Sequence, residues 1–299
     1  MSRTPFIRAL TSLLPGQVTA SFGRQLVVEL ADGRIIACVT RGKKTGVACG
    51  DRVQIKLTGS NHGVIESVEP RTSLLHRSDQ FREKIIAANV TQIIIVVAAV
   101  PGFHEDLLNR YLVAAEVAGI KALIVLNKSD MVNETQHALG ILQLYRDLGY
   151  PLLTLCAKQN ISPLRPMLTG HTSVLVGQSG MGKSSIINAL LPGARARTGD
   201  LSATLDSGRH TTTHAELYHL DASSHLIDSP GLQEFGLHHV DATQLDHAFI
   251  EFRPFLGQCK FNDCKHIHEP GCSVLQAVAA GKISVRRLAT YHTLMKQAS

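Results

Sequence analysis

Along the first third of the chain, apolar and polar positions alternate in short bursts. Gln25-Leu26-Val27-Val28-Glu29-Leu30, Arg34-Ile35-Ile36-Ala37-Cys38-Val39 and Arg52-Val53-Gln54-Ile55-Lys56-Leu57 are separated by turn-forming stretches at Asp32-Gly33, Gly50-Asp51 and Asn61-His62-Gly63. A period of two puts one face of each strand into a core, and regular short strands with turns between them predict a small β-barrel, of which the OB fold is one of several forms. Pro70 to about Lys84 is polar and charged and is expected to be a linker. The pattern then changes. From Ile85 to Asp130, strand, helix and strand alternate as in an α/β unit, with Ile93 to Pro101 and Lys121 to Leu126 reading as buried parallel strands. Thr172 to Val176 is a β-prone run that leads, through glycines, into the helical run Ser185 to Leu191. Past about Leu237 the strand pattern gives way to a helix-like run, Leu245 to Phe252. The expected organisation is therefore multidomain: a β-barrel over residues 1–80, an α/β domain over 81–236 and a small helical domain over 237–299.

The chemistry is concentrated in three short motifs. Gly177-Gln178-Ser179-Gly180-Met181-Gly182-Lys183-Ser184 sits between the β-prone run and the helix that Ser185 opens. Its glycines let backbone N–H groups cradle phosphate oxygens at a helix N-terminus, Lys183 reaches the β- and γ-phosphates, and the Ser184 hydroxyl ligates Mg²⁺. Asn127-Lys128-Ser129-Asp130 follows a buried strand, where an Asp carboxylate accepts from both N1–H and the exocyclic amine of guanine. Adenine offers neither donor and would leave that carboxylate unpaired, which favours GTP over ATP and argues against a P-loop kinase or phosphatase of metabolites. Cys156-Ala157-Lys158 resembles the fifth GTPase motif, with Cys where Ser is usual. Asp228-Ser229-Pro230-Gly231 closes a strand-like pair, and there Asp228 holds Mg²⁺ through water while the Gly231 amide senses the γ-phosphate.

These motifs come in an unusual order, base-reading before phosphate-cradling. In an open parallel sheet the ligand loops all lie at the carboxyl ends of strands, so a site survives when the chain order is permuted. The sequence reads as a circularly permuted GTPase whose second switch, from Asp228 to about Gly236, leads directly into the C-terminal segment.

That segment carries Cys259, Cys264, His266 and Cys272 in the spacing C-x4-C-x-H-x5-C. Three thiolates and one imidazole in a compact run suit a closed, structural Zn²⁺ site. His268 is a competing imidazole, and Cys38, Cys49 and Cys156 are expected to be scattered, buried thiols.

On these residues, together with Arg41-Gly42-Lys43, Ala87-Ala88-Asn89-Val90 and Gly208-Arg209-His210-Thr211-Thr212-Thr213, nearly the whole chain resembles the RsgA (YjeQ, EngC) family of circularly permuted ribosome small-subunit biogenesis GTPases. The resemblance implies an OB-fold barrel that binds RNA, a permuted GTPase domain and a zinc-binding helical domain. It implies GTP and GDP as ligands with Mg²⁺, and slow GTP hydrolysis that the small ribosomal subunit stimulates. It also implies rRNA as the binding partner, with hydrolysis coupled to checkpointing or to release of assembly factors. The position after the DxxG glycine is Leu232 rather than a water-orienting Gln, and the resemblance points to His210 as the catalytic group instead. One of Thr211, Thr212 and Thr213 completes Mg²⁺ coordination, with Thr212 the candidate. The alternative function is a nucleotide-gated RNA-binding module in which turnover is incidental.

Charge agrees with a polyanionic partner: the formal net charge is +6 and the pI about 9.1. Candidate phosphate contacts are Arg41, Lys43 and Lys44 near the barrel and Lys282, Arg286 and Arg287 after the cysteine cluster. There is no Trp, and the first eighty residues hold only Phe6 and Phe22 as aromatics, so folded RNA held by its phosphates fits better than a single strand stacked on rings. No apolar run approaches the roughly 20 residues a membrane span needs, and Arg3 and Arg8 interrupt the first fourteen residues. A cytoplasmic, monomeric protein is expected.

Overall fold

The computed structural model describes residues 13–22, 25–41, 46–78, 83–192, 215–229 and 236–298. Five strands form the N-terminal unit: β1 (Leu14–Phe22), β2 (Gln25–Leu30), β3 (Ile35–Thr40), β4 (Arg52–Leu57) and β5 (His62–Val68). Their alternation turns Val18, Val28, Ile36, Cys38, Val53, Ile55 and Ile65 into one core. The strand order is β1-β2-β3-β5-β4, and β4 pairs back onto β1 from Leu14↔Ile55 to Gln17↔Arg52, which closes the barrel. Only β3 and β5 run parallel, and the barrel has the OB topology.

The expected linker is instead a hairpin, β6 (Leu74–Ser78) paired with β7 (Glu83–Ala88). Its polar flanks misled because their side chains are engaged in a joint with the barrel. Arg71 forks onto the fully buried carboxylate of Asp51, Nε to Oδ1 at 2.7 Å and Nη2 to Oδ2 at 2.8 Å. Asn89, at φ +56°, donates from Nδ2 to the Gly50 carbonyl and accepts from the Thr72 N–H at Oδ1.

A twisted α/β sheet follows, in the order β10 (Leu152–Thr154), β9 (Lys121–Asn127), β8 (Gln92–Ala98), β11 (Thr172–Val176), β13 (His225–Asp228) and β12 (Glu216–His219). All these pairings are parallel except β12 with β13. β8 is buried along its whole length, and its pleat divides it between two cores. Ile93, Ile95 and Val97 face α1 (Glu105–Val117) and α2 (Val132–Asp147), while Ile94, Val96 and Ala98 share a core with Leu164 and Leu168 near the short helix α3 (Arg165–Leu168) and with α4 (Lys183–Leu190). β12 also pairs with β1 at Ala20↔Glu216, so barrel and α/β unit share one continuous sheet.

The C-terminal segment holds α5 (Ala242–Ala248), α6 (Ser273–Ala279) and α7 (Val285–Ala298). A reciprocal capping box of Asp241 and Gln244 starts α5. This helix ends at Ala248, before the expected Phe252, because the chain turns there to bury Phe249 and Phe252 against Tyr291. α5 lies on α1, and the segment shares the core on that face of the sheet. Among the described residues, no helix is long and apolar enough to cross a membrane.

Candidate nucleotide site and metal centre

The carboxyl ends of β9, β10, β11 and β13 bring together loops that are far apart in the chain. Gly177 leaves β11 at φ +138°, with backbone so close that an added Cβ would lie 2.2 Å from the Val96 carbonyl oxygen. The loop from Gln178 and Ser179 through Gly180 and Met181 to Gly182 then delivers Lys183, Ser184 and Ser185 as the first turn of α4. Lys183 Nζ lies back over the loop, donating to the carbonyls of Gly177 and, at 2.7 Å, Gln178. Burial holds its ammonium below the ordinary lysine pKa, with the Asp228 carboxylate opposing. That carboxylate sits beside the loop because Asp228 ends β13 in register with Leu175.

Asn127, fully within the protein at the end of β9, ties three loops. Its Nδ2 donates to the Met181 carbonyl at 3.0 Å and its Oδ1 accepts from the Ala157 N–H at 3.0 Å. Lys128, at φ +62°, sends Nζ to the Val100 carbonyl at 2.8 Å. The Ser129 N–H bonds to the Leu155 carbonyl, holding the Asn127–Asp130 loop beside Cys156-Ala157-Lys158. Asp130 is exposed at the end of this loop. His210, Thr212 and Gly231 lie outside the described residues.

The second cluster assembles from one loop. Cys259, Cys264, His266 and Cys272 present donor atoms that all lie within 4.8 Å of one another. His266 Nδ1 is 3.6, 3.5 and 3.2 Å from the sulfurs of Cys259, Cys264 and Cys272, and Cys259 Sγ is 3.9 Å from Cys272 Sγ. A tetrahedral zinc with Zn–S of about 2.3 Å and Zn–N of about 2.0 Å needs S···S of about 3.8 Å and S···N of about 3.5 Å, so this donor set fits that ion. Burial opposes ionisation of Cys259, but hydrogen bonding to Ser273 and to the other cysteines outweighs it and brings the thiol down to about 7. His268 is exposed and outside the cluster. Cys38 and Cys49 are buried thiols, pushed up by burial, whereas Cys156 is half-buried.

The sequence model described as RsgA GTPase matches residues 68–238. The small ribosomal subunit biogenesis GTPase RsgA of Nitrosospira multiformis is 54% identical over 294 residues, covering 98% of this chain and 94% of that protein. This chain belongs to the RsgA GTPase family. The RsgA protein of Nitrosomonas europaea is also 54% identical, over 95% of this chain and 91% of its own. Among solved structures, YjeQ from Thermotoga maritima matches with a TM-score of 0.75 at 30% identity, covering 96% of this chain and 98% of that one. YloQ, described as a circularly permuted GTPase, matches with a TM-score of 0.71 at 25% identity, covering 99% and 98%.

Within this RsgA family member, sequence reasoning missed several supporting contacts. Gln178 is more than a spacer, because its Oε1 accepts the His104 N–H at 2.6 Å and ties the phosphate loop to the start of α1. Glu269 accepts from the backbone N–H groups of Lys265, Ile267 and His268; these bonds outweigh partial desolvation and hold its carboxyl down to about 2. A glutamate between metal-ligand cysteines was the available signal. One expectation is corrected: Arg287 is 1% exposed and paired, which removes it from the surface phosphate contacts. Arg286 is exposed but bridges Glu105 and the Ile141 carbonyl, Arg41 pairs with Glu66, and Lys43 and Lys44 lie outside the described residues.

Proposed function

We propose that this protein binds and hydrolyses GTP, and that it acts on the small ribosomal subunit during its biogenesis, held there by rRNA phosphates. The observation that carries the nucleotide reading is the Asn127 amide, which joins the phosphate loop to both base-side loops across 54 residues of permuted sequence. The ribosomal reading is supported by the names of relatives that match over nearly their full length, and by the net charge of +6.

In this reading the N–H groups from Gly177 to Ser184 hold the phosphates on the start of α4, with Lys183 moving from its carbonyl partners to the β- and γ-phosphates. Asp130 selects guanine, because adenine would leave its carboxylate without donors. Ser184, Asp228 and Thr212 hold Mg²⁺, which neutralises charge on the phosphates. His210 orients the attacking water in place of the Gln that Leu232 replaces, and Gly231 reports the γ-phosphate to the segment that follows. Cys259, Cys264, His266 and Cys272 hold one structural Zn²⁺. Arg41 and Lys282 are the described candidates for rRNA contact, in a protein that works in the cytoplasm and releases assembly factors on hydrolysis.

The test is steady-state GTP hydrolysis by the protein alone, with small subunits and with large subunits, at two salt concentrations. Stimulation by the small subunit only, lost at high salt, is the expected result. His210→Ala should abolish the stimulated rate while leaving GTP affinity unchanged. Equal rates with and without small subunits would overturn the ribosomal reading.

A further inference from the structure

His266 can offer only one ring nitrogen to a metal, and the geometry decides which. Nδ1 faces the three sulfurs at 3.2 to 3.6 Å. Nε2 points the other way, to Asp246 Oδ2 at 3.8 Å, which is ion-pair range and longer than a hydrogen bond. With Nδ1 on the metal the ring proton must sit on Nε2, and a ligating histidine is held in its tautomer and ring angle by whatever accepts that proton. Asp246 is itself fixed, since the Tyr291 hydroxyl donates to its other oxygen at 2.5 Å.

The backbone of the ligand loop is secured from the same side. His266 sits at φ +57°, a left-handed conformation that a non-glycine residue keeps only where its surroundings impose it. His292 Nε2 donates to the His266 carbonyl at 2.7 Å, and the Tyr291 hydroxyl also approaches the Lys265 carbonyl at 3.4 Å. Tyr291 and His292 are neighbours on α7, and Asp246 lies on α5. The loop that carries the donors is therefore clamped by two helices that contribute no donor themselves.

We propose that Asp246 is the positioning carboxylate of the zinc centre, orienting His266 from α5, and that Tyr291 and His292 on α7 lock the ligand loop against it. The inference rests on the zinc reading of the Cys3His cluster. α5 also lies on α1, so Asp246 stands on a helix that touches both the ligand loop and the α/β unit.

The experiment measures zinc affinity of the full chain by competition with a chromogenic chelator, and the visible spectrum of the protein loaded with Co²⁺. Asp246→Ala is expected to bind zinc about 10- to 100-fold more weakly than the unmodified protein. Asp246→Asn, which keeps an acceptor for the Nε2 proton, is expected to recover part of that loss. The cobalt bands of tetrahedral thiolate ligation should persist in both, since the four donors are unchanged. Fluorescent GDP binding shows that each variant is folded. Unchanged zinc affinity in folded Asp246→Ala would overturn the inference, as would full loss of the cobalt bands in Asp246→Asn. The zinc reading fails in a different way: the unmodified protein would then hold no stoichiometric zinc, or Cys272→Ser would bind it equally well.

Discussion

Asn127 has one amide, and both ends of it are engaged within the protein, on the Met181 carbonyl and the Ala157 N–H. The phosphate loop can come this close only because Gly182 has no side chain. An added Cβ would lie 2.2 Å from Asn127 Nδ2, and φ at this position is +94°. Gly182→Ala therefore combines a clash with a left-handed backbone that costs about 1–2 kcal/mol for an L residue. We expect it to weaken GTP, GDP and xanthosine triphosphate by the same factor, about 5- to 30-fold for a loss of that size. Asp130→Asn leaves the cradle intact and changes only the base-side acceptor, so it should lose GTP and gain xanthosine triphosphate. Titrating both variants with the three nucleotides separates the two roles, and a Gly182→Ala protein with ordinary GTP affinity would remove the Asn127 bridge from the site.

At the level of elements, α7 is fastened to the α/β unit by one buried guanidinium. Arg287 bonds both oxygens of Glu251, which is itself nearly fully buried, donates to the side-chain oxygen Oδ1 of Asn109 on α1, and stacks over Phe249 at 4.3 Å. Removing one partner of a buried pair strands the other charge, at a cost of about 3–5 kcal/mol, whereas an apolar replacement of both is close to neutral. Arg287→Met should accordingly lower the urea midpoint sharply, and adding Glu251→Leu should restore most of it. This pair also marks where sequence stops being legible. The barrel strands, the buried parallel strands and the loop–helix junction at Lys183 were readable, because burial on one face or two leaves a period in the chain. The cysteine cluster was readable for the same kind of reason, since one metal needs its donors close together. Arg287, Asp51 with Arg71, and the polar flanks of the β6–β7 hairpin were not. A charge buried by a partner 20 or 36 residues away leaves no local pattern and looks like a solvated surface.

Across the whole molecule, the sheet does not stop at the barrel. β1 belongs to the barrel and also pairs with β12, and β12 pairs with β13, whose last residue is Asp228 beside the phosphate loop. We therefore place the division between barrel and α/β unit at a joint stiffened by the Asp51–Arg71 fork on one side and by an imidazole pair on the other. In that pair His219 Nδ1 lies 2.8 Å from His225 Nδ1, and His219 Nε2 lies 2.8 Å from Glu29 on β2. With the His219 Nε2 proton directed at the carboxylate, its Nδ1 accepts and His225 donates. A second proton on His225 is disfavoured, first by burial and then by His219, so its pKa lies below the ordinary 6.5. The unfolded chain then binds that proton more readily than the folded one. Stability contributed here is present above pH 6.5 and declines as pH falls from there through the lowered folded-state value. His225→Asn cannot take up the proton in either state, so the drop in melting temperature between pH 7.5 and pH 5.5 should shrink in this variant. An equal drop in both proteins would mean that acid acts elsewhere and that this joint does not sense pH.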